Sequence, residues 1–306
     1  MTVSYAIGID VGGSSLKCGL VNEKGAIVHS FLSPLNQVKT EDEVISLLLS
    51  AIKEYTDQTE YFIAGVGIGF PGIVENGIII GGADNLPGFV NLDLASIISA
   101  NHKMNVVIDN DANMMGWGEK KFGAGKNCSD VVFLTTGTGI GGGLIINGQI
   151  YGGYKNRGTE LGHIMIQHQG RACSCGGSGC FEAYGSVTAL LKDYALLSGL
   201  EIDTLNGKMI VERYLAGEAA AISVMQQHFD YQATGIASLI NVFSPQKVIL
   251  GGGITESGDF YVQEIKERVL LKAMPDTIRH TEIVAAALGN HAGLLGAAGR
   301  VFELAL

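Results

Sequence analysis

Apolar positions along this chain form two similar blocks, each opening with short strand-like runs and closing with helical ones. Residues 5–10, 17–21 and 26–33 are mostly apolar and separated by tight turns, the second at Asn22-Glu-Lys-Gly25, and they predict three consecutive strands. The period then changes. In residues 41–55, Val44, Leu47, Leu48, Ala51 and Ile52 share one helical face. An apolar strand over 61–70 stops at Pro71-Gly72, a helix follows at about 94–101, then a strand at 105–109 and a helix at 111–122. The opening pattern returns as strands at 131–135 and 141–146 with a turn at Asn147-Gly148. Helices at about 186–198, 206–215 and 217–243, a strand at 247–250, and helices near 256–273 and 291–304 complete an α/β chain.

The repetition carries chemistry. Asp10-Val-Gly-Gly-Ser-Ser-Leu-Lys17 joins the first two strands, and Thr135-Thr-Gly-Thr-Gly-Ile-Gly-Gly142 joins the equivalent strands of the second block. Backbone N–H groups and hydroxyls in such turns form nests for anionic oxygens. A single glycine-rich hairpin means little; a pair at matching places predicts a polyphosphate held between two halves. Asp10, at a strand tip, is suited to Mg²⁺ directly or through water. Gly251-Gly-Gly253 lies between a strand and a helix, where a nucleotide rests on backbone. No GxxxxGK[ST] loop occurs, and the first strand leads into a hairpin rather than a helix, so dinucleotide hydride chemistry is disfavoured.

Composition narrows the partners. The 306 residues hold one large or two medium domains, and 47% hydrophobic against 16% charged residues marks an ordinary globular chain. With 30 Asp+Glu against 20 Lys+Arg the net charge is -10, which argues against nucleic acid or an anionic membrane as partner. No apolar run approaches the roughly 20 residues a membrane span needs. The chain enters its first strand without a signal peptide and carries five cysteines, an odd number, so a reducing, cytoplasmic setting is expected.

Three of those cysteines cluster. Glu160-Leu-Gly-His163 precedes Cys173-Ser-Cys175-Gly-Gly-Ser-Gly-Cys180-Phe-Glu182. Three thiolates and one imidazole make the closed four-coordinate set of a structural Zn²⁺, and the glycines let the backbone turn tightly around it. A disulfide is the alternative, disfavoured by the compartment. A nucleic-acid zinc finger would need basic neighbours, and only Arg171 is near. Another polar group, Asn110-Asp111-Ala-Asn113, leaves an apolar strand and opens a helix. Asp111 there has the chemistry to accept a proton from a hydroxyl attacking a γ-phosphoryl group. The same residues are favoured helix caps, and both readings stand on this segment alone.

Taken together, these motifs and the C-terminal Leu288-Gly-Asn-His-Ala-Gly-Leu-Leu-Gly-Ala-Ala298 resemble the ROK family of sugar kinases and related repressors, in the actin-like ATPase superfamily. The resemblance runs from residue 5 to about residue 300. It implies a two-domain, ribonuclease H-like fold with a cleft: a small domain of residues 1–111 plus 291–306, and a larger one of 112–290 containing the zinc loop 163–180. It implies an ATP-dependent, Mg²⁺-assisted transfer of the γ-phosphoryl group to a hexose 6-hydroxyl, with Asp111 as general base. Gly72, Asn85, Asn110, Asp111, Glu160, His163 and Glu182 would hold the sugar. Asp10, Gly12, Gly13, Ser14, Lys17, Thr136, Gly137, Thr138 and Gly252 would hold the nucleotide and its metal. His163, Cys173, Cys175 and Cys180 would ligate Zn²⁺, and a homodimer is implied.

Departures from the family pattern bear on the substrate. Asn156-Arg157-Gly158-Thr159 stands where small residues commonly precede the glutamate, Ser14-Ser15 replaces a usual threonine, and Gln167-His168-Gln169-Gly170 replaces a stretch that commonly contains proline. Glucose, N-acetylmannosamine and a β-glucoside such as cellobiose all remain open. A repressor would add an N-terminal DNA-binding segment, which a first strand at Tyr5 leaves no room for. A catalytically silent sugar sensor would have no use for intact phosphate loops.

Overall fold

The computed structural model describes residues 3–35, 38, 40–58, 61–83, 86 and 88–304. Strands β1 (Tyr5–Val11), β2 (Ser15–Asn22) and β3 (Ile27–Pro34) form an antiparallel meander, followed by helix α1 (Glu41–Gln58) and β4 (Ile63–Phe70). A small antiparallel sheet of β5 (Ile73–Glu75), β6 (Ile78–Gly81) and β7 (Leu92–Asp93) leads to α2 (Leu94–His102), β8 (Asn105–Asn110) and α3 (Asp111–Phe122). The first large sheet has the order β3-β2-β1-β4-β8, with β1, β4 and β8 parallel.

The second half repeats this plan. It comprises β9 (Val131–Thr136), β10 (Ile140–Ile146), β11 (Gln149–Ile150), α4 (Glu182–Gly185), α5 (Val187–Ser198), α6 (Gly207–Leu215), α7 (Ala219–Phe243) and β12 (Lys247–Gly251). Then come α8 (Asp259–Lys272), α9 (Pro275–Ile278), β13 (Glu282–Ala285) and α10 (Ala292–Leu304). The sheet order is β11-β10-β9-β12-β13, with β9–β12 and β12–β13 parallel. Order and direction match the first sheet strand for strand, so the two glycine loops occupy equivalent hairpins.

Each sheet is covered on both faces, which is why its central strands read as continuous apolar runs. Ile7, Ile9 and Val11 of β1 pack with Val44, Leu48 and Ile52 of α1 on one face. On the other, Ala6 and Val21 meet Leu294, Leu295, Ala298 and Val301 of α10. The chain thus ends against the sheet with which it began. The approach is so close that a Cβ on Gly8 would collide with the Leu294 carbonyl, and one on Gly296 with the Met114 carbonyl of α3. In the second half, Val132, Leu134, Val248 and Leu250 bury against α5 to α8, around Phe181, Phe229 and Tyr261. A fully buried side chain of this kind contributes about 1.5–3 kcal/mol.

Most expected elements are present, α3 with the expected ends. The helix expected from 256 starts at Asp259, because 253–257 is a 3₁₀ turn and Gly258 has φ 131°. The β5–β6 hairpin was not anticipated, although its Asn76-Gly77 turn, with φ 53° and 80°, is a strong hairpin signal. No helix among the described residues is long and apolar enough to cross a membrane.

Candidate active site

Helix α3 begins where parallel strand β8 ends, the place where ligands meet open α/β sheets. Asn110 caps the helix: its Oδ1 accepts the Ala112 and Asn113 amides at 2.9 and 3.2 Å, while its Nδ2 donates to the Gly72 carbonyl at 3.0 Å. Capping by Asn110 leaves Asp111 to line a cavity of about 200 Å³ with Gly72, Asn113, Asn156, Thr159 and Glu160. Burial pushes the Asp111 carboxyl up to about 6; the Ala112 amide opposes this, and the charges of Asp10 and Glu160 add to it. A carboxylate so poised is matched to accepting a proton near neutral pH.

Asp10 lies one residue before the end of β1 and pairs in register with Lys17 of β2, whose Nζ donates to Asp10 Oδ2 at 3.2 Å. Both line a second cavity of about 110 Å³ with Gly252, Gly253 and Gly293. Asp10 is 3% exposed, its carboxyl is raised mainly by burial, and Oδ1 has no partner. A third cavity, of about 560 Å³, adjoins through Gly253 and Glu256 and is lined by Thr136, Gly137, Thr138, Asn206 and Leu191. Here α5 begins: the Val187 amide donates to the Gly137 carbonyl at 2.9 Å, fixing the loop. Gln232 of α7, 1% exposed, braces it from beneath by donating to Thr136 Oγ1 at 3.2 Å and the Gly185 carbonyl at 2.7 Å.

The zinc expectation meets a suitable donor set. The ligand atoms of His163, Cys173, Cys175 and Cys180 lie within 4.8 Å of one another. Cys175 and Cys180 Sγ are 3.7 Å apart, and Cys173 Sγ is 3.5 Å from His163 Nδ1. A tetrahedral Zn²⁺ with ordinary bond lengths sets edges of about 3.8 Å between sulfurs and about 3.6 Å between sulfur and nitrogen. All five cysteines are free, so the disulfide alternative is not realised. The Gly177 amide draws the Cys175 thiol downward, whereas burial pushes the Cys180 thiol up to about 12. Arg171 braces the loop: its guanidinium lies 4.6 Å from the Tyr184 ring centroid and pairs with Asp193 at 3.0 Å.

Residues 6–302 match the model of the ROK family. The chain belongs to the ROK family. Among ROK relatives, the glucokinase of Thermotoga maritima is 34% identical over 97% of this chain and 97% of its own length. The xylose repressor of Bacillus spizizenii is 31% identical over 98% of this chain and 77% of its own. The structure of the ROK glucokinase from Streptomyces griseus in complex with glucose and AMPPNP superposes with a TM-score of 0.81 at 30% identity, covering 98% and 99% of the two chains. The fold is therefore the actin-like two-domain architecture of ROK kinases.

Of the residues a ROK kinase would use, the structure brings Gly72, Asn110, Asp111 and Glu160 together at one cavity. Gly72 has φ 91°, which only glycine adopts without strain. His163 stands at the metal cluster, one 3₁₀ turn beyond Glu160. Glu182 is not brought into that cavity: its Oε2 accepts the Ile140 amide at 2.9 Å and its Oε1 the Ser174 hydroxyl at 3.2 Å, beside the loop between β9 and β10. Gly12, Gly13 and Ser14 form the β1–β2 turn, Gly13 and Ser14 exposed. Asn85 lies outside the described residues. Sequence reasoning gave no role to Gln232 or Glu119 and took Asn156 only as a departure from the family pattern; Asn156 and Gln232 meet partners 47–96 residues away, and Glu119 meets Ala287 and Leu288 as well as nearby Ala124.

Proposed function

We propose that this ROK protein is an ATP-dependent sugar kinase that transfers the γ-phosphoryl group to the 6-hydroxyl of a hexose, glucose foremost. The observation that carries the reading is Asp111: a half-buried carboxyl, raised by desolvation to about 6, lining a sugar-sized cavity and close enough to Asp10 of the phosphate cavity to feel its charge. Asp111 takes the hydroxyl proton as the oxygen attacks phosphorus, and ADP departs. Asn110, Glu160 and Gly72 orient the sugar, with His163 and Glu182 contributing from the metal-braced segment of the same half. Glucose is favoured by likeness to two glucokinases; N-acetylmannosamine or a β-glucoside is the alternative.

The nucleotide lies along the equivalent hairpins, with Thr136, Gly137 and Thr138 at the phosphates and Gly252 near the adenosine. The partnerless Asp10 Oδ1 is a hard oxygen donor of the kind Mg²⁺ accepts, and a bound ion supplies charge neutralisation on the phosphates. Zn²⁺, held by His163, Cys173, Cys175 and Cys180, keeps the Glu160–Glu182 segment rigid and does no chemistry. Closure of residues 1–111 and 291–306 on residues 112–290 excludes water as a competing acceptor. A silent sensor would gain nothing from an orphaned Asp10 oxygen in a phosphate cavity. Phosphorus NMR of the product tests the reading: phosphate on the 6-oxygen is expected, and phosphate elsewhere on the sugar contradicts it.

A further inference from the structure

One wall of the sugar cavity comes from a single loop that contributes Asn156, Gly158, Thr159 and Glu160. Its backbone is unusual. Lys155, Asn156 and Thr159 have φ of 55°, 55° and 65°, a left-handed conformation that a β-branched threonine strongly resists. Such strain persists only where surrounding contacts over-determine it. Here the contacts are visible. The Gly158 amide closes the loop on the Gly152 carbonyl at 2.7 Å.

Asn156 reaches from the second half to the first. Its Nδ2 donates to the Val74 carbonyl of β5 at 2.7 Å and to Asp109 Oδ1 of β8 at 3.0 Å. That same carboxylate oxygen accepts the Asn110 amide at 2.7 Å and Asn113 Nδ2 at 3.0 Å. One acceptor therefore ties the wall loop to the first turn of α3, which bears Asp111. Asn113, 4% exposed and lining the cavity, keeps Oδ1 buried without a partner. The Thr159 hydroxyl already donates to the Gly158 carbonyl at 2.6 Å, so what it offers the cavity is bulk rather than a free donor.

We infer that Asn156 is a positioning residue that clamps this loop across the cleft, and that Thr159, so held, restricts the site to single hexoses without an N-acyl or glycosyl substituent on the ring edge it meets. This rests on the sugar-kinase reading and adds a basis for its selectivity. A cavity of about 200 Å³ is of the size of one pyranose ring.

Two variants test it. Asn156→Ala, which removes two hydrogen bonds, raises the sugar KM about tenfold, with kcat falling less and the KM for ATP unmoved. Thr159→Gly raises the kcat/KM ratio of N-acetylmannosamine or cellobiose to glucose by at least ~tenfold. An unchanged ratio in Thr159→Gly overturns the inference, as does an Asn156→Ala effect that falls equally on sugar and ATP. The same ratios are read as calorimetric sugar Kd values without ATP. Wild-type protein that binds hexose but never forms ADP sinks the kinase reading, while these Kd ratios still decide the role of Thr159.

Discussion

The carboxylate of Glu119, on α3, accepts the amide of Leu288 at 2.8 Å, joining two residues 169 positions apart. Glu119 is 0% exposed and is also satisfied by the Ala287 amide at 2.9 Å and the Ala124 amide at 2.8 Å. It fixes the segment entering α10 beside the cavity that Asp10 lines. Truncation leaves three part-buried amide donors without their acceptor. Glu119→Ala is expected to cost about 3 kcal/mol or more in urea unfolding, whereas a loss below about 1 kcal/mol would show that water replaces it freely.

The raised Asp111 carboxyl has two consequences with opposite signs. In the proposed role Asp111 acts ionised, so kcat/KM is expected to rise with pH through about 6 and then level. Stability runs the other way. The folded value of about 6 exceeds the ordinary 3.8, so the neutral form's contribution is complete below pH 4 and lost as pH rises to about 6. Asp111→Asn cannot ionise and is expected to gain roughly 1–3 kcal/mol on wild type at pH 7.5 while the two converge near pH 4. Thermal melts at both pH values check this.

How much of this was legible depended on sequence separation. The zinc donors fall within eighteen residues, the capping signal within four, and the paired glycine loops each within one hairpin, so local spacing revealed them. Asn156 meets Val74 across 82 residues, Gln232 meets Thr136 across 96, and Glu119 meets Leu288 across 169. Nothing local marks an asparagine, a glutamine or a glutamate as such a brace. The Asn76-Gly77 hairpin is legible in its two turn residues alone.

Metal removal tests the loop. The protein as purified is expected to carry one Zn²⁺ per chain by mass spectrometry. Cys175→Ser, or prolonged chelation, lowers Tm and the sugar affinity together, because binding free energy at a structural site is folding free energy. Normal activity and Tm in metal-free protein would show that the four donors serve no structural ion.

Asp10 separates phosphate chemistry from sugar binding. Asp10→Asn keeps a side chain of the same shape beside Lys17 but loses the hard anionic donor. A fall in kcat of at least ~100-fold is expected with the sugar Kd within about threefold of wild type. Equal loss of both would place Asp10 in the fold rather than in the reaction.

ADP release from Mg·ATP across glucose, fructose, mannose, N-acetylmannosamine, N-acetylglucosamine and cellobiose tests the central claim most directly. Sugar-dependent ADP formation, greatest with glucose and abolished in Asp111→Asn, is the predicted result. No sugar-dependent ADP from any of the six, or turnover that survives Asp111→Asn, would contradict it.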